Sequence, residues 1–325
     1  MNEVQIIGTG RSVPDQIITN DYLSNIVETN DEWISSRTGI KERRISKGET
    51  TATLASEAAK KALEDAGISP ETIDLIIVAT MTPDYFMPST ACLVQKEIKA
   101  YHATCFDVSA ACTGFIYALN TGFQFIRTGQ SNTALIIGAD TYSKILDWSD
   151  RSTCVLFGDG AGAVVLQKSE DKGIISTYTG SDGRGDTLLT CPAVANNNPF
   201  SPATDTPKSV VSMNGKEVFR FATTIVPRCI EEVLKISSYT TEDIQYYVLH
   251  QANARMMDLI SKKMNIDIEK FYKNIGSYGN TSAGSIPIAL DEMNQNGMLK
   301  KGDLLILVGF GGGLTWGSAL LQWHK

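Results

Sequence analysis

Glu71-Thr72-Ile73-Asp74-Leu75-Ile76-Ile77-Val78 is answered 171 positions later by Glu242-Asp243-Ile244-Gln245-Tyr246-Tyr247-Val248-Leu249. Each is a short polar stretch followed by four apolar residues, the pattern of a strand covered on both faces. The same offset joins Ala62-Leu63 to Val233-Leu234, Ala118-Leu119 to Ala289-Leu290, and Ile136-Ile137-Gly138 to Leu307-Val308-Gly309. A constant spacing held over so many residues marks an internal duplication. The chain reads as two copies of one α/β unit, 1–170 and 171–325, with no linker between independent domains.

Within the first copy, Thr51 to Ala66 places Leu54, Ala55, Ala58, Ala59, Ala62 and Leu63 on one helical face, and Gly67 supplies the stop. Further helices are predicted from Pro88-Ser89 to Ile98 and from Cys112 to Arg127, with strands at 74–79, 105–108, 133–138 and 164–167. Ala319 to Gln322 reads as the closing strand of the second copy. Alternating strands and helices imply sheets covered by helices. Two such units stacked face to face give five layers, α-β-α-β-α, with the middle helices wholly buried. Phe115-Ile116-Tyr117-Ala118-Leu119 leaves almost no polar face, as a middle helix requires. Two regions break the pattern. Residues 14–50 insert two helical pieces, one capped by Asn30 and ended by Gly39. Residues 180–209 are rich in Gly, Asn, Pro, Ser and Asp, and a loop that long is expected to be functional or mobile.

The 325 residues are 42% hydrophobic and 20% charged, ordinary for a globular protein with a large core, and excluding disorder or a rod. A formal net charge of −7 argues against nucleic acid as a partner. No apolar run reaches the roughly 20 residues of a membrane span. Met1-Asn2-Glu3-Val4 has no signal-peptide character, so a cytoplasmic location with free thiols is expected. The six cysteines and three histidines show no metal-ligand spacing, so no metal is expected. Gly158-Asp159-Gly160-Ala161-Gly162 and Gly309-Phe310-Gly311-Gly312-Gly313 lack phosphate-loop spacing, which disfavours nicotinamide and nucleotide-hydrolysing chemistry. Gly311-Gly312-Gly313 instead lets backbone N–H groups approach an oxyanion.

Cys112 sits in Ser109-Ala110-Ala111-Cys112-Thr113-Gly114, where a strand turns into a helix. Cysteines are commonly core residues. Small neighbours at a tight turn are also what a nucleophile elbow needs, and a helix N-terminus favours thiolate. Cys92, Cys105 and Cys154 lie in apolar patterns and read as core. His250 ends a strand, where ligands bind in open α/β sheets, although it could equally cap local backbone. His102 lies in a polar turn and His324 is penultimate, which leaves His250 as the candidate for chemistry. Asn280, in Tyr278-Gly279-Asn280-Thr281-Ser282-Ala283-Gly284-Ser285, reads alone as a turn or cap. Shifted back by 171, the segment falls beside the Cys112 elbow, so the two loops should meet across a pseudo-twofold axis.

Together these residues resemble the β-ketoacyl-acyl-carrier-protein synthase III family, of the thiolase fold. The motifs that carry the resemblance are Asn30-Asp31-Glu32-Trp33-Ile34 with Arg37-Thr38-Gly39-Ile40, the Cys112 elbow and Phe157-Gly158-Asp159-Gly160-Ala161. They continue through His250-Gln251-Ala252-Asn253, Gly279-Asn280-Thr281-Ser282, and Gly309 to Gly317 with Trp316. The resemblance implies a catalytic triad of Cys112, His250 and Asn280, with an oxyanion hole from the N–H groups of Cys112 and Gly312. It implies a coenzyme A channel lined by Trp33, Arg37, Arg151, Phe219, Asn253 and Arg255. A basic patch of Arg220, Arg255, Lys262 and Lys263 would receive acyl-carrier protein, unless it is only a solvated helix face. The family also implies a homodimer in which Met87 closes the partner's acyl pocket. Methionine at that position is flexible enough to admit branched starters.

The reaction so implied is a decarboxylative Claisen condensation of a short acyl-CoA, acetyl or branched, with malonyl-acyl-carrier protein. It yields β-ketoacyl carrier protein, CoA and CO₂, initiates type II fatty acid synthesis, and needs no cofactor. Three histidines leave no second one for the Cys-His-His site of elongating synthases. No cysteine follows Cys229, which argues against a biosynthetic thiolase. Chalcone-synthase-type enzymes carry Pro where Gly312 stands. Alternatives are a starter enzyme of a polyketide-type pathway, a non-catalytic acyl-binding scaffold and, with less support, a cysteine hydrolase.

Overall fold

The computed structural model describes residues 1–196, 198–200 and 208–325. Strand β1 (Glu3–Ser12) is followed by the insertion, made of β2 (Ile17–Thr19), α1 (Asn20–Leu23), α2 (Asp31–Thr38) and β3 (Glu42–Arg44). Then come α3 (Thr51–Ala66), β4 (Leu75–Ala79), α4 (Thr90–Ile98), β5 (Thr104–Val108), α5 (Gly114–Arg127), β6 (Thr133–Thr141) and β7 (Asp159–Ser169). The second half runs β8 (Ile174–Ser181), β9 (Leu189–Thr190), β10 (Ser212–Met213), α6 (Gly215–Lys235), β11 (Tyr246–Leu249) and α7 (Ala254–Met264). It ends with α8 (Ile275–Tyr278), α9 (Ser285–Gln295), β12 (Leu304–Gly311) and β13 (Thr315–Gln322).

One main sheet has the order β1-β7-β6-β4-β5 and the other β8-β13-β12-β11. The four strands β8-β13-β12-β11 repeat β1-β7-β6-β4, and beyond β11, among the described residues, only a single bridge from Tyr247 to Phe271 stands where the first sheet has β5. Strand β4 lies parallel to β6 as β11 does to β12, and β6 lies antiparallel to β7 as β12 does to β13. The offset read from the sequence holds for the first residues of β1 and β8, β4 and β11, β6 and β12, and α5 and α9.

Three apolar layers hold the sheets together. Leu54, Ala58 and Ala62 of α3 and Val94 of α4 cover the outer face of the first sheet. Phe115, Ile116 and Leu119 of α5, with Ile286, Ala289 and Leu290 of α9, fill the space between the sheets. Val226, Cys229 and Ile230 of α6, with Met257 and Ile260 of α7, cover the outer face of the second sheet. The fold is therefore α-β-α-β-α. The middle layer is not wholly buried as expected: α5 is enclosed at its N-terminal end but exposes Gln124 near its C-terminus.

Local signals set the boundaries closely. Asn30 Oδ1 accepts the Trp33 N–H at 2.8 Å, and Gly39 ends α2 at φ 79°. Helix α3 spans the predicted residues and stops at Gly67, φ 67°. Strand β7 starts five residues earlier than its apolar run, because Gly160 and Gly162 belong to the strand. A Cβ at Gly162 would lie 2.5 Å from the Ile288 nitrogen, so this glycine lets α9 lie on the sheet. The β2–β3 ribbon inside the insertion carried no legible signal. Residue 197 and residues 201–207 of the predicted 180–209 loop lie outside the described residues. Of the rest, β9 pairs with β10.

Buried Arg43 fastens the insertion. Its Nη1 donates to Asn20 Oδ1 (2.8 Å) and the Ile18 carbonyl (3.1 Å), and Nη2 donates to the Val155 carbonyl (2.6 Å). Burial lowers its pKa to about 10, which leaves it charged at neutral pH. Among the described residues, no group of acidic, histidine and cysteine side chains could hold a metal ion. No described helix is long and apolar enough to cross a membrane. All six cysteines are free, but only Cys112, Cys154 and Cys229 are buried. Cys92 is exposed and Cys105 half-buried, so neither belongs to the core as expected; both lie at the margin of the outer layer.

Candidate active site

Cys112 stands where β5 gives way to α5. Ala111 takes a left-handed backbone, φ 47°, and a single 3₁₀ turn leads into the helix. For a residue with a Cβ this conformation is strained, and it turns the chain sharply enough to present the next side chain. Cys112 is 3% exposed. Burial pushes its thiol up to about 12, reinforced by the charge of Asp140 and opposed by the nearby Ser282 hydroxyl. The helix N-terminus was expected to favour thiolate, but desolvation of the anion outweighs it.

His250 follows β11 and donates its backbone N–H to the Val308 carbonyl at 2.8 Å. Its Nδ1 lies 2.7 Å from Ser285 Oγ, and its ring meets the Phe310 ring edge-on at 5.2 Å between centroids. Burial lowers its pKa to about 3, so the imidazole is neutral at physiological pH. Asn280 is held by its own backbone: its N–H donates to Leu156 O at 2.9 Å, and its carbonyl accepts from Gly158 N–H at 3.0 Å. Its Oδ1 accepts the Ser282 N–H at 2.8 Å. That bond fixes the amide, because Oδ1 is the acceptor end and Nδ2 remains the donor.

Cys112, His250 and Asn280 line one cavity of about 200 Å³, with Leu156, Phe157, Val218, Met256, Phe310 and Gly311 among its walls. Phe219 and Asn253 line it too. A Cβ on Gly311 would sit 2.8 Å from the Cys112 nitrogen, so this glycine allows the β12–β13 turn to press on the elbow. Gly312 lies on the other side, in an adjoining cavity of about 560 Å³ shared with Ser109, Ala110, Ala111 and Leu189. Thr315 Oγ1 lies 3.1 Å from the Ala110 carbonyl and 3.0 Å from that of Gly312, tying this turn to the elbow.

Trp33, Arg37, Arg151 and Arg255 do not line the Cys112 cavity. They form a surface group outside it. The guanidinium carbons of Arg37 and Arg151 lie 4.8 and 5.2 Å from the Trp33 ring centroid. Asn253 connects the two zones, donating from Nδ2 to the Arg37 carbonyl at 3.0 Å while accepting the Arg255 N–H at 2.9 Å. Two cations beside a half-buried indole suit an anion with an aromatic ring. Arg220 on α6 and Arg255, Lys262 and Lys263 on α7 are exposed on packed helices of one outer layer. Arg220 pairs with Glu217 at 3.0 Å, and Lys263 reaches the Thr223 carbonyl at 3.3 Å. Met87 is 82% exposed and lines no cavity holding Cys112.

The sequence reading passed over Phe310, Ser282 and Ser285. Each lies inside a quoted motif, but their roles depend on distances between segments far apart in the chain.

Residues 106–183 match the family 3-Oxoacyl-[acyl-carrier-protein (ACP)] synthase III, and residues 234–323 match its C-terminal domain. A beta-ketoacyl-[acyl-carrier-protein] synthase III of Clostridium acetobutylicum is 55% identical over 325 residues, covering 100% of both chains. The crystal structure of 3-oxoacyl-[acyl-carrier-protein] synthase III from Aquifex aeolicus is 48% identical, with a TM-score of 0.92, covering 98% of this chain and 100% of that one. The priming β-ketosynthase of the R1128 polyketide pathway is 33% identical, with a TM-score of 0.93 over 99% of this chain and 97% of its own. With a duplicated five-layer fold, a cysteine on an elbow between its halves and full-length likeness to these enzymes, the chain belongs to the 3-oxoacyl-[acyl-carrier-protein] synthase III family.

Proposed function

We propose that this enzyme condenses a short acyl-CoA with malonyl-acyl-carrier protein by a two-stage reaction through an acyl-Cys112 thioester, and so begins fatty acid synthesis. The observation that carries the reading is the convergence of Cys112, His250 and Asn280 on one buried cavity. In the first stage Cys112 sulfur bonds to the acyl carbonyl carbon, the bond to CoA sulfur breaks, and the thiol proton leaves with CoA. In the second, malonyl thioester loses CO₂, and the electrons of that bond form an enolate. The N–H donors of Asn280 and His250 stabilise its oxygen. The enolate carbon attacks acyl-Cys112, thiolate departs, and one proton from solvent restores the thiol. Carbon dioxide loss generates the carbon nucleophile, so no base must remove an α-proton and a neutral imidazole suffices as a donor. The backbone N–H groups of Cys112 and Gly312 would hold the oxyanion of both acyl transfers.

The Trp33, Arg37 and Arg151 group suits the adenine and phosphates of CoA, with Phe219 and Asn253 along the pantetheine path and Arg255 at its mouth. Arg220, Arg255, Lys262 and Lys263 give an otherwise acidic chain a basic surface for an acidic carrier protein. A cytoplasmic homodimer fits the exposed Tyr85, Phe86 and Met87, which a second copy would cover, bringing Met87 to the partner's acyl pocket. We read 1–170 and 171–325 as the two duplicated halves. The chemistry uses no cofactor or metal.

Intact-mass spectrometry should show one acyl group added to Cys112 from acetyl-CoA or a branched acyl-CoA, and its loss on adding malonyl carrier protein. Absence of an adduct with every short acyl-CoA would refute the proposal. The structural likeness to a polyketide priming enzyme supports a second reading, a dedicated starter enzyme. A higher kcat/KM with an aromatic or long starter than with acetyl or branched ones would select it.

A further inference from the structure

The reaction proposed above asks His250 for a hydrogen-bond donor pointing into the cavity. A neutral imidazole has one N–H, on either Nδ1 or Nε2, and the partner of one nitrogen decides which. Nδ1 is 2.7 Å from Ser285 Oγ, and both side chains are buried. Ser285 is the first residue of α9, and its Oγ also receives the Gln251 N–H at 3.5 Å. That amide can only donate, so it occupies a lone pair of Oγ. If Nδ1–H donated as well, the hydroxyl hydrogen would be buried with no acceptor among the described residues, an arrangement that costs about 1–3 kcal/mol. Both groups are satisfied when the hydroxyl donates to Nδ1.

We propose that Ser285 is a positioning residue that holds His250 as the Nε2–H tautomer, so that the free ring nitrogen meets substrate as a donor. Asn280 is prepared in the same way: Ser282 N–H occupies Oδ1 and leaves Nδ2 as the donor. Helix α9 and the turn before it thus set the polarity of both donors, through one hydroxyl and one backbone amide. This inference rests on the two-stage reaction proposed above. Ser285 touches no reacting atom in it; it acts through His250.

The full-length protein labelled with ¹⁵N-histidine provides the test, since it contains only His102, His250 and His324. His250→Ala identifies the His250 signals. In the unmodified enzyme, Nε2 should show the shift of a protonated ring nitrogen and Nδ1 that of a bare one. Ser285→Ala should mix the tautomers and slow decarboxylation of malonyl carrier protein about 10- to 100-fold, the usual cost of losing such a support. Acylation of Cys112 should slow far less, and Ser285→Thr should restore the hydroxyl and most of the rate. If Ser285→Ala does not fold, Ser285→Cys, a weaker donor of similar size, takes its place. A bare Nε2 in the unmodified enzyme overturns the proposal, as does Ser285→Ala with tautomer and decarboxylation rate unchanged. Absence of any acyl-Cys112 would instead overturn the reaction itself, and the two failures are separable.

Discussion

Ala111 and Ser282 stand 171 positions apart and share one unusual conformation, a left-handed backbone with φ of 47° and 51°. Each opens a 3₁₀ turn that leads into a middle-layer helix, and the two turns pack on one another across the pseudo-twofold axis. In the first half the next residue is Cys112. In the second, the residue two positions earlier is Asn280. The site is thus made of the same local structure used twice with different side chains.

The close approach of the two turns depends on Gly138. A Cβ there would lie 2.1 Å from the Ala283 carbonyl oxygen, a backbone atom that cannot swing away. Gly138→Ala should destabilise the protein by about 3 kcal/mol, the upper end of the usual cost of overpacking a core. Chemical denaturation should show a lowered midpoint. A midpoint equal to that of the parent protein would show that the halves can separate without loss.

Arg43→Met should remove three hydrogen bonds and leave the Ile18 and Val155 carbonyls buried without their donor. About 2–4 kcal/mol of stability should be lost. The turn carrying Phe157 should loosen with it, giving faster amide hydrogen exchange in residues 153–158. Unchanged exchange there would dissociate the insertion from the site.

Burial holds Cys112 up at about 12 and His250 down at about 3. The pair should therefore be thiol and neutral imidazole over the physiological range. A raised thiol pKa means that the reactive fraction grows with pH. Alkylation of Cys112 by iodoacetamide should rise about tenfold per unit between roughly pH 7 and 9. A rate already level at neutral pH would reveal a preformed thiolate. For the imidazole, a lowered pKa means no proton is gained above about pH 5, so decarboxylation should carry no inflection near the usual histidine value.

Trp33→Ala removes the indole between Arg37 and Arg151. KM for acyl-CoA should rise several-fold with little change in kcat, as expected when binding is uniform between ground and transition states. Lys262→Glu, on the exposed face of α7, should instead raise KM for malonyl carrier protein and flatten its salt dependence. If both substitutions altered both substrates equally, the two surfaces would not be separate binding zones.

Much of this enzyme was legible in the sequence because the signals were local or periodic. The boundaries of α2 and α3 followed from Asn30, Gly39 and Gly67, since capping acts within a few residues. The duplication follows from a constant offset, which by itself brings the Asn280 segment beside Cys112. The start of strand β7 carries no apolar signal because Gly162 makes room for Ile288 of α9, 126 residues further on, and spacing along the chain does not record that contact. What only the tertiary structure decided was electrostatic. Whether Cys112 is a thiol, whether His250 is charged and which nitrogen it offers depend on burial and on Ser285. Desolvation and hydrogen-bond direction are properties of a closed cavity, and a cavity exists only after the two halves have packed.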